Sequence, residues 1–209
     1  MVPQILTNRA EDFLCTARIL KEYGYREVNL NLGCPSGTVV SKKKGAGFLA
    51  LPVGLDRFLE EVCTELGKMS MDLSVKTRLG VADEEEFYEL MEIYNRHPLK
   101  ELIVHPRIRM DYYKNTPRMK LFSFAMESGV CPVCYNGDIF TSGAYRNLME
   151  EYPGLKRLML GRGLLANPGL REELEGLGTW TKSGLACSTG WFMRATGKSC
   201  QGTETCCLK

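Results

Sequence analysis

The sequence predicts an α/β protein with a parallel sheet or barrel, and three observations support this fold class. Six short apolar segments with strand character are each followed by a stretch whose apolar residues recur at helical spacing. Polar residues gather where these strands end, as they do at the active-site face of a barrel. The 209 residues are enough for one domain with a substantial core.

The predicted strands alternate with helices along the whole chain. Helix boundaries are predicted from a cap at Asn8 and a stop at Gly24, a stop at Gly67, a cap at Asp83 before three glutamates, and an Asn167-Pro168 start. An eight-fold barrel of about 250 residues needs two more strand–helix units than the six found here. We therefore expect a barrel truncated at its amino terminus. The strands are predicted at residues 2–6, 28–32, 73–79, 101–105, 131–135 and 155–160.

The stretch from Val28 to Gly47 carries the strongest functional signal. Asn29 and Asn31 alternate with apolar residues, so both point into a barrel interior or cleft if the apolar residues face helices. Cys34 then follows the end of the strand, at the rim where substrates usually enter. On this stretch alone, a structural cysteine in a tight turn is an equally good interpretation.

Polar residues also stand at the ends of the other predicted strands. Two of the strand ends are glycine-rich turns that precede helices, which is where barrels commonly hold a phosphate group. Each motif alone also fits an ordinary turn or ion pair, whereas the ordered set indicates an active site. Its members are Gln4, Lys76 with Arg78, His105 with Arg107, Asn136-Gly137-Asp138 and Gly161-Arg162-Gly163.

In order and spacing, these motifs resemble those of the tRNA-dihydrouridine synthases, flavin-dependent enzymes that reduce uridines in tRNA. The resemblance rests on NLNLGCP with a downstream GAG, then VKTR, IVHPR, CYNGD and LMLGRG, and it covers residues 1–178. It implies a TIM-type (β/α) barrel with about six of eight units, the first two missing. It also implies FMN as cofactor and NADPH as reductant. The implied FMN contacts are Gln4, Lys76, His105, Asn136, Gly137, Gly161 and Arg162.

The resemblance further implies a division of roles in the reaction. Hydride from reduced FMN would reach C6 of the uracil, and Cys34 would donate a proton to C5 from the other face. A thiol acting as general acid has to carry its proton, so no thiolate-stabilising surroundings are expected. Lys76 and His105 would stabilise the negative charge of the reduced ring, and Arg162 would suit the phosphate. Asn31 would hydrogen-bond the uracil edge or the flavin.

A tRNA substrate has to present its uridine extruded from the base stack. The net charge of +2 implies no attraction over the whole surface, so a local basic rim is expected to hold the phosphates. One basic stretch, with Tyr112 and Tyr113 interleaved, follows the His105 strand; the other, at residues 42–44, also fits a solvated loop. The expected RNA contacts are Asn31, Lys42, Arg78, Arg107 and Arg109.

Several other assignments are disfavoured by the sequence. No apolar run approaches the roughly 20 residues of a membrane span, and no signal peptide opens the chain. Nine cysteines without a signal peptide indicate a reducing, cytoplasmic environment. Cys131 and Cys134 lie three apart on a predicted strand and point to opposite faces, so no metal site is expected. His97 precedes a proline in a loop and is a poor catalytic candidate.

Two departures from the family pattern leave alternatives open. The strands expected before Gln4 are absent, and residues 179–209 form an atypical tail, expected to be poorly ordered, in place of a helical tRNA-binding domain. One alternative is therefore a catalytically inactive fragment. Another is an FMN barrel that reduces a free pyrimidine, as dihydroorotate and dihydropyrimidine dehydrogenases do. The basic stretches and the NLGCP context favour tRNA.

Overall fold

A computed structural model describes residues 1–176, which form a parallel α/β fold, as the sequence predicts. The strand order of the sheet is β1-β2-β3-β4-β5. The strands are β1 (Gln4–Ile5), β2 (Glu27–Leu32), β3 (Asp72–Arg78), β4 (Glu101–His105) and β5 (Val133–Tyr135). The helices are α1 (Ala10–Glu22), α2 (Gly37–Val40), α3 (Pro52–Lys68), α4 (Glu86–Arg96), α5 (Met119–Ser128), α6 (Ser142–Glu151), α7 (Arg162–Ala166) and α8 (Leu170–Glu175).

The chain divides into two compact units, and each is described by itself. Residues 2–133 make up the first unit, and residues 134–176 are the described part of the second. Strands β1 to β4 of the first unit pair in parallel, each with its neighbour along the chain. No helix within residues 1–176 is both long enough and apolar enough to cross a membrane.

The core of the first unit forms where apolar helix faces meet one face of the sheet. Val28, Leu30 and Leu32 of β2 are fully buried, and they alternate with Asn29 and Asn31, which are buried too. Since alternate residues of a strand point to opposite faces, the two asparagines share the face away from these aliphatic side chains. The predicted alternation is therefore confirmed, and it places two amides in the interior.

Helices α1 and α3 pack against each other through aromatic rings. Phe13 of α1 and Phe58 of α3 meet edge to face with ring centroids 5.8 Å apart. Phe48, from the turn of 3-10 helix Gly45–Ala50, meets Phe58 in the same way at 5.5 Å. Such pairs add stabilisation beyond their buried area. The helix that follows the catalytic candidate is thus anchored to the core.

Two of the predicted helix starts differ from the structure. Asn8 is not a cap: α1 begins at Ala10 after Arg9, and the Asn8 amide donates to the Lys42 carbonyl oxygen instead. Asp83 does not open α4 either, because that helix begins at Glu86. The Glu86 carboxylate reaches back and accepts N–H groups from all three residues 81–83, which holds them outside the helix.

Three further boundaries also differ. Gly67 lies inside α3, and the chain leaves that helix through Ser70 in the left-handed region, with φ of 52°. The predicted strand at 155–160 is reduced to one bridge between Leu158 and Tyr135, because β5 offers only three residues for pairing. Asn167 precedes α8 as expected, but its side chain accepts from Gly169 N–H before the helix starts. Gly24 ends α1 as predicted, with φ of 84°.

Candidate active site

The strand ends of the first unit bring the predicted polar residues together. Register pairs Asn31 of β2 with Lys76 of β3. One step further along, Arg78 of β3 pairs with His105 of β4. Because the strands are parallel, their carboxyl ends lie along one edge of the sheet, and Cys34 follows directly after β2.

The turn that carries Cys34 is held by hydrogen bonds to every backbone polar group of its Gly33-Cys34 dipeptide. The N–H groups of both residues donate to Asn31 Oδ1, each over 3.0 Å. The Gly33 carbonyl oxygen accepts from Arg78 Nε at 2.9 Å, and that of Cys34 accepts from Ala46 N–H at 3.0 Å. Three separate segments therefore fix this dipeptide, while the Cys34 thiol itself remains half-buried and unoxidised.

Gly45 allows the chain to pass directly against Cys34. A Cβ at Gly45 would stand 2.9 Å from both the Cβ and the carbonyl oxygen of Cys34, and Gly45 also has a φ of 54°. A Cβ at Gly47 would likewise stand only 2.7 Å from the Val40 carbonyl oxygen. Both glycines of the GAG motif are therefore required by close backbone approach, which explains its place behind the cysteine turn.

Gln4 and Asn31 are joined to each other in the sheet interior. Asn31 Nδ2 donates to Gln4 Oε1 at 2.8 Å, and Gln4 Nε2 donates to Asn29 Oδ1 at 2.9 Å. Asn29 Nδ2 in turn donates to Ser74 Oγ at 3.0 Å. Contacts of Gln4 with a flavin and of Asn31 with a uracil stay predictions. What the structure shows is that both side chains are buried and connected to the cysteine turn.

Lys76 is half-buried beside the same turn. Its Nζ lies 3.6 Å from the point where a Cβ of Gly33 would stand. The ammonium group therefore lies next to Gly33, the residue that precedes Cys34. A cation at this place is suited to hold an anionic or carbonyl-bearing ring, which is the kind of group the sequence predicts here.

Arg78 is 1% exposed and binds backbone carbonyls on two sides. Besides Gly33, it donates from Nη1 to the Ile108 carbonyl oxygen at 3.1 Å. Its guanidinium lies over the Tyr113 ring, 5.4 Å from the centroid. Burial lowers the pKa of Arg78, and the nearby Arg107 adds to this effect, whereas Tyr113 and Asp111 oppose it. The predicted RNA contact is therefore untested, and the observed role of Arg78 is to tie two loops together.

His105 is buried and joined to Arg107. Arg107 Nη1 lies 3.2 Å from His105 Nε2, and since a guanidinium only donates, the imidazole Nε2 accepts and its proton sits on Nδ1. Arg107 itself is 1% exposed and donates to the carbonyl oxygens of Lys114 and Asn115. Like Arg78, it organises the loop after β4 from the inside. Direct contact of Arg107 with RNA remains a prediction.

An acidic side chain fixes the loop that follows β4. Asp111 accepts from Ile108 N–H at 3.1 Å and from Asn115 Nδ2 at 2.6 Å, and it forms an ion pair with Arg118. Arg118 also pairs with Glu84. Burial alone would raise the pKa of Asp111, but the hydrogen bonds from Arg118 and Asn115 lower it below its ordinary value.

The outer surface of this loop combines aromatic and basic groups. Met110, Tyr112 and Tyr113 are 58%, 43% and 51% exposed. The Arg109 guanidinium lies over the Tyr112 ring at 5.3 Å and donates to its hydroxyl group. We refer to residues 109–114 as the aromatic–basic loop. Lys42, in the other predicted basic stretch, is exposed.

In the second unit, the two predicted glycine-rich turns are built around close contacts. Asn136 Nδ2 donates to the Met159 carbonyl oxygen at 2.9 Å, and Arg162 forms an ion pair with Asp138. A Cβ at Gly137 would overlap the Tyr135 side chain, so no other residue fits there. Gly161, by contrast, has open space within 4 Å of the point where a Cβ would stand.

The remaining candidates have structural partners. His97 Nε2 lies 2.8 Å from Asp56 Oδ1. Burial raises the pKa of the Cys131 thiol to about 11, as expected for an inert cysteine, and Cys134 is buried on β5. Within residues 1–176, no three His, Cys, Asp or Glu side chains form a group that could hold a metal ion.

Sequence reasoning missed two residues that shape the site. Ser74 shares its strand face with Lys76 and Arg78, so the same period of two along β3 contained the signal for it. Asp111 gave no such signal, because its interior position depends on the path of a loop. Gly45 was part of the GAG motif, but its contact with Cys34 could not be predicted from the sequence.

Comparisons with known proteins identify a family and several relatives. The family model for dihydrouridine synthase matches residues 1–191. A tRNA-dihydrouridine(16) synthase from Aquipseudomonas alcaligenes is 29% identical over 172 residues, which is 82% of this chain and 52% of that protein. A probable tRNA-dihydrouridine synthase from Staphylococcus aureus (strain Mu50 / ATCC 700699) is 29% identical over 178 residues, covering 83% of this chain and 53% of the relative. The probable tRNA-dihydrouridine synthase 2 of Bacillus subtilis is 28% identical, with the same coverage.

These matches also bear on the fold class. The chain spans about half the length of the curated relatives it matches. Its parallel strands and intervening helices are those of an incomplete TIM-type (β/α) barrel, which confirms the predicted fold class. Of the tail predicted at 179–209, no part lies within the described residues.

Proposed function

Since the chain belongs to the dihydrouridine synthase family, we propose that it reduces the C5–C6 double bond of uridine in tRNA, with FMN as cofactor and NADPH as reductant. The observation that carries this proposal is the cysteine turn. A half-buried thiol stands at the carboxyl edge of a parallel sheet on a backbone that is fully hydrogen-bonded. A general acid has to be held within hydrogen-bond reach of the atom it protonates, and such a turn supplies that constraint.

The residues around Cys34 fit a flavin ring. Lys76 and His105 stand at neighbouring strand ends, and Gln4 retains one amide hydrogen beyond its bond to Asn29. Lys76 would oppose the negative charge that a reduced ring acquires, and His105 stands beside it at the next strand end. When bound, FMN supplies the hydride.

The second unit carries groups that suit the phosphate of FMN. Arg162 has its side chain 40% exposed beside Asp138, so its guanidinium is within reach of a further anion. The open space at Gly161 allows close approach to its backbone. Asn136 and Gly137 hold the preceding turn in shape. We propose Gly137, Gly161 and Arg162 as phosphate contacts and Asn136 as a further FMN contact.

Cys34 would transfer its Sγ proton to C5 of the uracil. Asn31 holds the turn through its Oδ1 and keeps one Nδ2 hydrogen beyond its bond to Gln4, which can be offered to the uracil edge. After the transfer, the Cys34 thiolate takes up a new proton from solvent, which its half-buried position allows. The proton path thus needs no further side chain.

The aromatic–basic loop is the proposed contact to tRNA. Exposed tyrosines offer stacking surfaces for unpaired bases, and arginine and lysine side chains offer phosphate contacts. Arg109 stacks over the Tyr112 ring, so its guanidinium and this aromatic ring lie side by side on the loop. Lys42, Arg78 and Arg107 complete the proposed set. This surface favours tRNA over a free pyrimidine, and a tRNA substrate places the protein in the cytoplasm.

The test compares two cysteine variants of the full chain. FMN is added to purified protein, and NADPH-dependent formation of dihydrouridine in unmodified tRNA is followed by mass spectrometry. Removing a general acid costs about 100-fold or more in rate, so we expect Cys34→Ala to lose activity while retaining flavin. Cys15, exposed on α1, provides the matched Cys15→Ala control, which should behave as wild type.

The same assay decides against the proposal in two ways. A wild-type chain that holds FMN but reduces free uracil or orotate rather than tRNA would mean a different pyrimidine reductase. A chain that binds no flavin would mean that these residues do not form a working FMN enzyme.

A further inference from the structure

We propose that Asn29 and Ser74 are positioning residues for Cys34. They act through a chain of buried amides that runs from β3 across β2 and β1 to the cysteine turn: Ser74, Asn29, Gln4, Asn31. Asn29 and Ser74 are both fully buried. Neither belongs to the residues proposed above to contact FMN or tRNA.

The orientation of every amide in this hydrogen-bonded series is set at the end where Asn31 meets the cysteine turn. The N–H groups of Gly33 and Cys34 only donate, so the group of Asn31 that faces them is the oxygen Oδ1. Asn31 therefore turns its Nδ2 to Gln4, which has to present Oε1. The Gln4 amide then points its Nε2 at Asn29.

The series of hydrogen bonds ends at Ser74. Asn29 accepts from Gln4 through Oδ1, so its Nδ2 faces β3, where Ser74 Oγ accepts it at 3.0 Å. A reversal of any one amide would place oxygen against oxygen or N–H against N–H at its neighbours. The arrangement is thus a single directional unit, in which Asn29 holds the orientation of Gln4 and, through it, of Asn31.

The position of the Cys34 thiol therefore depends on Asn29, which lies five positions earlier in strand β2. If Asn29 cannot accept from Gln4, the Gln4 amide is released, and Asn31 loses the partner that keeps its Oδ1 under the turn. The Gly33-Cys34 dipeptide then keeps only its carbonyl contacts, to Arg78 and Ala46. We expect the turn to open more often and the thiol to become more accessible.

The experiment reads the thiol directly and does not depend on catalysis. The full chain, free of FMN and tRNA, is alkylated with iodoacetamide, and the rate at Cys34 is measured by peptide mass spectrometry relative to exposed Cys15 in the same molecule. Three variants are compared: Asn29→Leu, which bonds neither neighbour; Asn29→Asp, which accepts from both Gln4 and the Ser74 hydroxyl; and the control Asn95→Ala.

Asn95 is a matched control because it also makes two hydrogen bonds, to Ser128 O and from Val130 N–H, away from the turn. We expect Asn29→Leu to raise the relative rate at Cys34 about fivefold, as loss of one hydrogen bond shifts an opening equilibrium by roughly that factor. Asn29→Asp and Asn95→Ala should stay within twofold of wild type. Equal rates for Asn29→Leu and Asn95→Ala would overturn the proposal.

If Asn29→Leu does not fold, Gln4→Met interrupts the same series of hydrogen bonds at its middle with a side chain of similar size. The same rise in the relative alkylation rate at Cys34 is expected. In the tRNA assay, Asn29→Leu should lower kcat and leave KM for tRNA unchanged, with recovery in Asn29→Asp. This second readout rests on the proposed function. A wild type without reductase activity would therefore count against that function alone, while the alkylation rates still decide the positioning role.

Discussion

The carboxyl and amino ends of the strands in the first unit hold their polar groups in different ways. At the carboxyl end, Arg78 and the Asn31 amide are buried and bind backbone groups of loops. At the amino end, Lys100 pairs with Glu27 and Asp72, and the side chains of Lys100 and Asp72 are 44% and 54% exposed. Exposed pairs contribute little to stability, whereas buried groups that lose a partner cost much more. The carboxyl end is therefore where the sequence is constrained.

The two ends also differ in how firmly their side chains fix the neighbouring backbone. The exposed ion pairs of the amino end can rearrange without moving the backbone. At the carboxyl end, Arg78 donates to loop carbonyl oxygens and Asn31 Oδ1 accepts from loop N–H groups, so a change at either residue moves the loop that carries Cys34 or the aromatic–basic loop. Barrels commonly divide their two faces in this way, with chemistry at the carboxyl ends of the strands.

The largest stability effect is expected from Arg78→Met. The substitution leaves the carbonyl oxygens of Gly33 and Ile108 without their buried donor, at a cost of about 3 kcal/mol in the free energy of unfolding. Denaturant titration measures this loss. Arg96→Met is the control, because Arg96 has an exposed guanidinium paired with Asp56 and should change the same quantity by less than about 1 kcal/mol. Equal losses in the two variants would remove the distinction between the buried and the exposed arginine.

The response to pH should differ between the two ends. Because the pKa of Asp111 is lowered in the folded state, its contribution is complete above its unfolded pKa, near 3.8, and is lost as the pH falls through the folded value. The pKa of Lys100 is raised, chiefly by its hydrogen bond to Asp72, so its contribution is complete below about 10.5 and is lost as the pH rises through the folded value. We therefore expect the loop after β4 to loosen in acid and the contribution of the Lys100 ammonium at the amino end to be lost in strong alkali.

The measurement for the acid side is the unfolding free energy between pH 7 and pH 3. Asp111→Asn should remove part of the acid dependence of the unfolding free energy, because the amide does not titrate. An acid dependence that is the same in wild type and Asp111→Asn would show that other carboxylates account for it.

The smallest effect is expected from Lys100→Met. Lys100 and Asp72 are exposed and Glu27 keeps 15% of its side chain exposed, so the loss should stay near or below about 1 kcal/mol at moderate salt and shrink as salt is added. The same denaturant titration at two salt concentrations measures it. A loss as large as that of Arg78→Met would contradict the contrast drawn between the two ends.

Much of this arrangement could be predicted from local patterns. The period of two in β2 placed Asn29 and Asn31 on the interior face, and the residues at the strand ends indicated which groups would gather around Cys34. These signals work because strand geometry fixes direction from sequence alone. The order of motifs then gave the family.

What the sequence could not predict depends on contacts between distant segments. Gln4 bonds residues 25 and 27 positions away, and no local pattern indicates that its amide joins the two asparagines. Arg78 likewise bonds the carbonyl oxygens of Gly33 and Ile108, which lie 45 and 30 positions away along the chain. The helix start at Asn8 failed for the same reason, since the Asn8 amide donates to the distant Lys42 carbonyl oxygen. The start at Asp83 failed for a local reason, because the Glu86 carboxylate accepts the N–H groups of residues 81–83 and holds them outside the helix.

The central claim is that the Gly33-Cys34 turn is held as firmly as the strands beside it. Amide hydrogen exchange at single-residue resolution tests this most directly, in the full chain and at neutral pH. We expect the Gly33 and Cys34 amides, both bonded to Asn31 Oδ1, to exchange as slowly as the amides of β2 and far more slowly than exposed Ser36. Exchange at Gly33 and Cys34 as fast as at Ser36 would contradict the account, because the thiol would then have no fixed position from which to act.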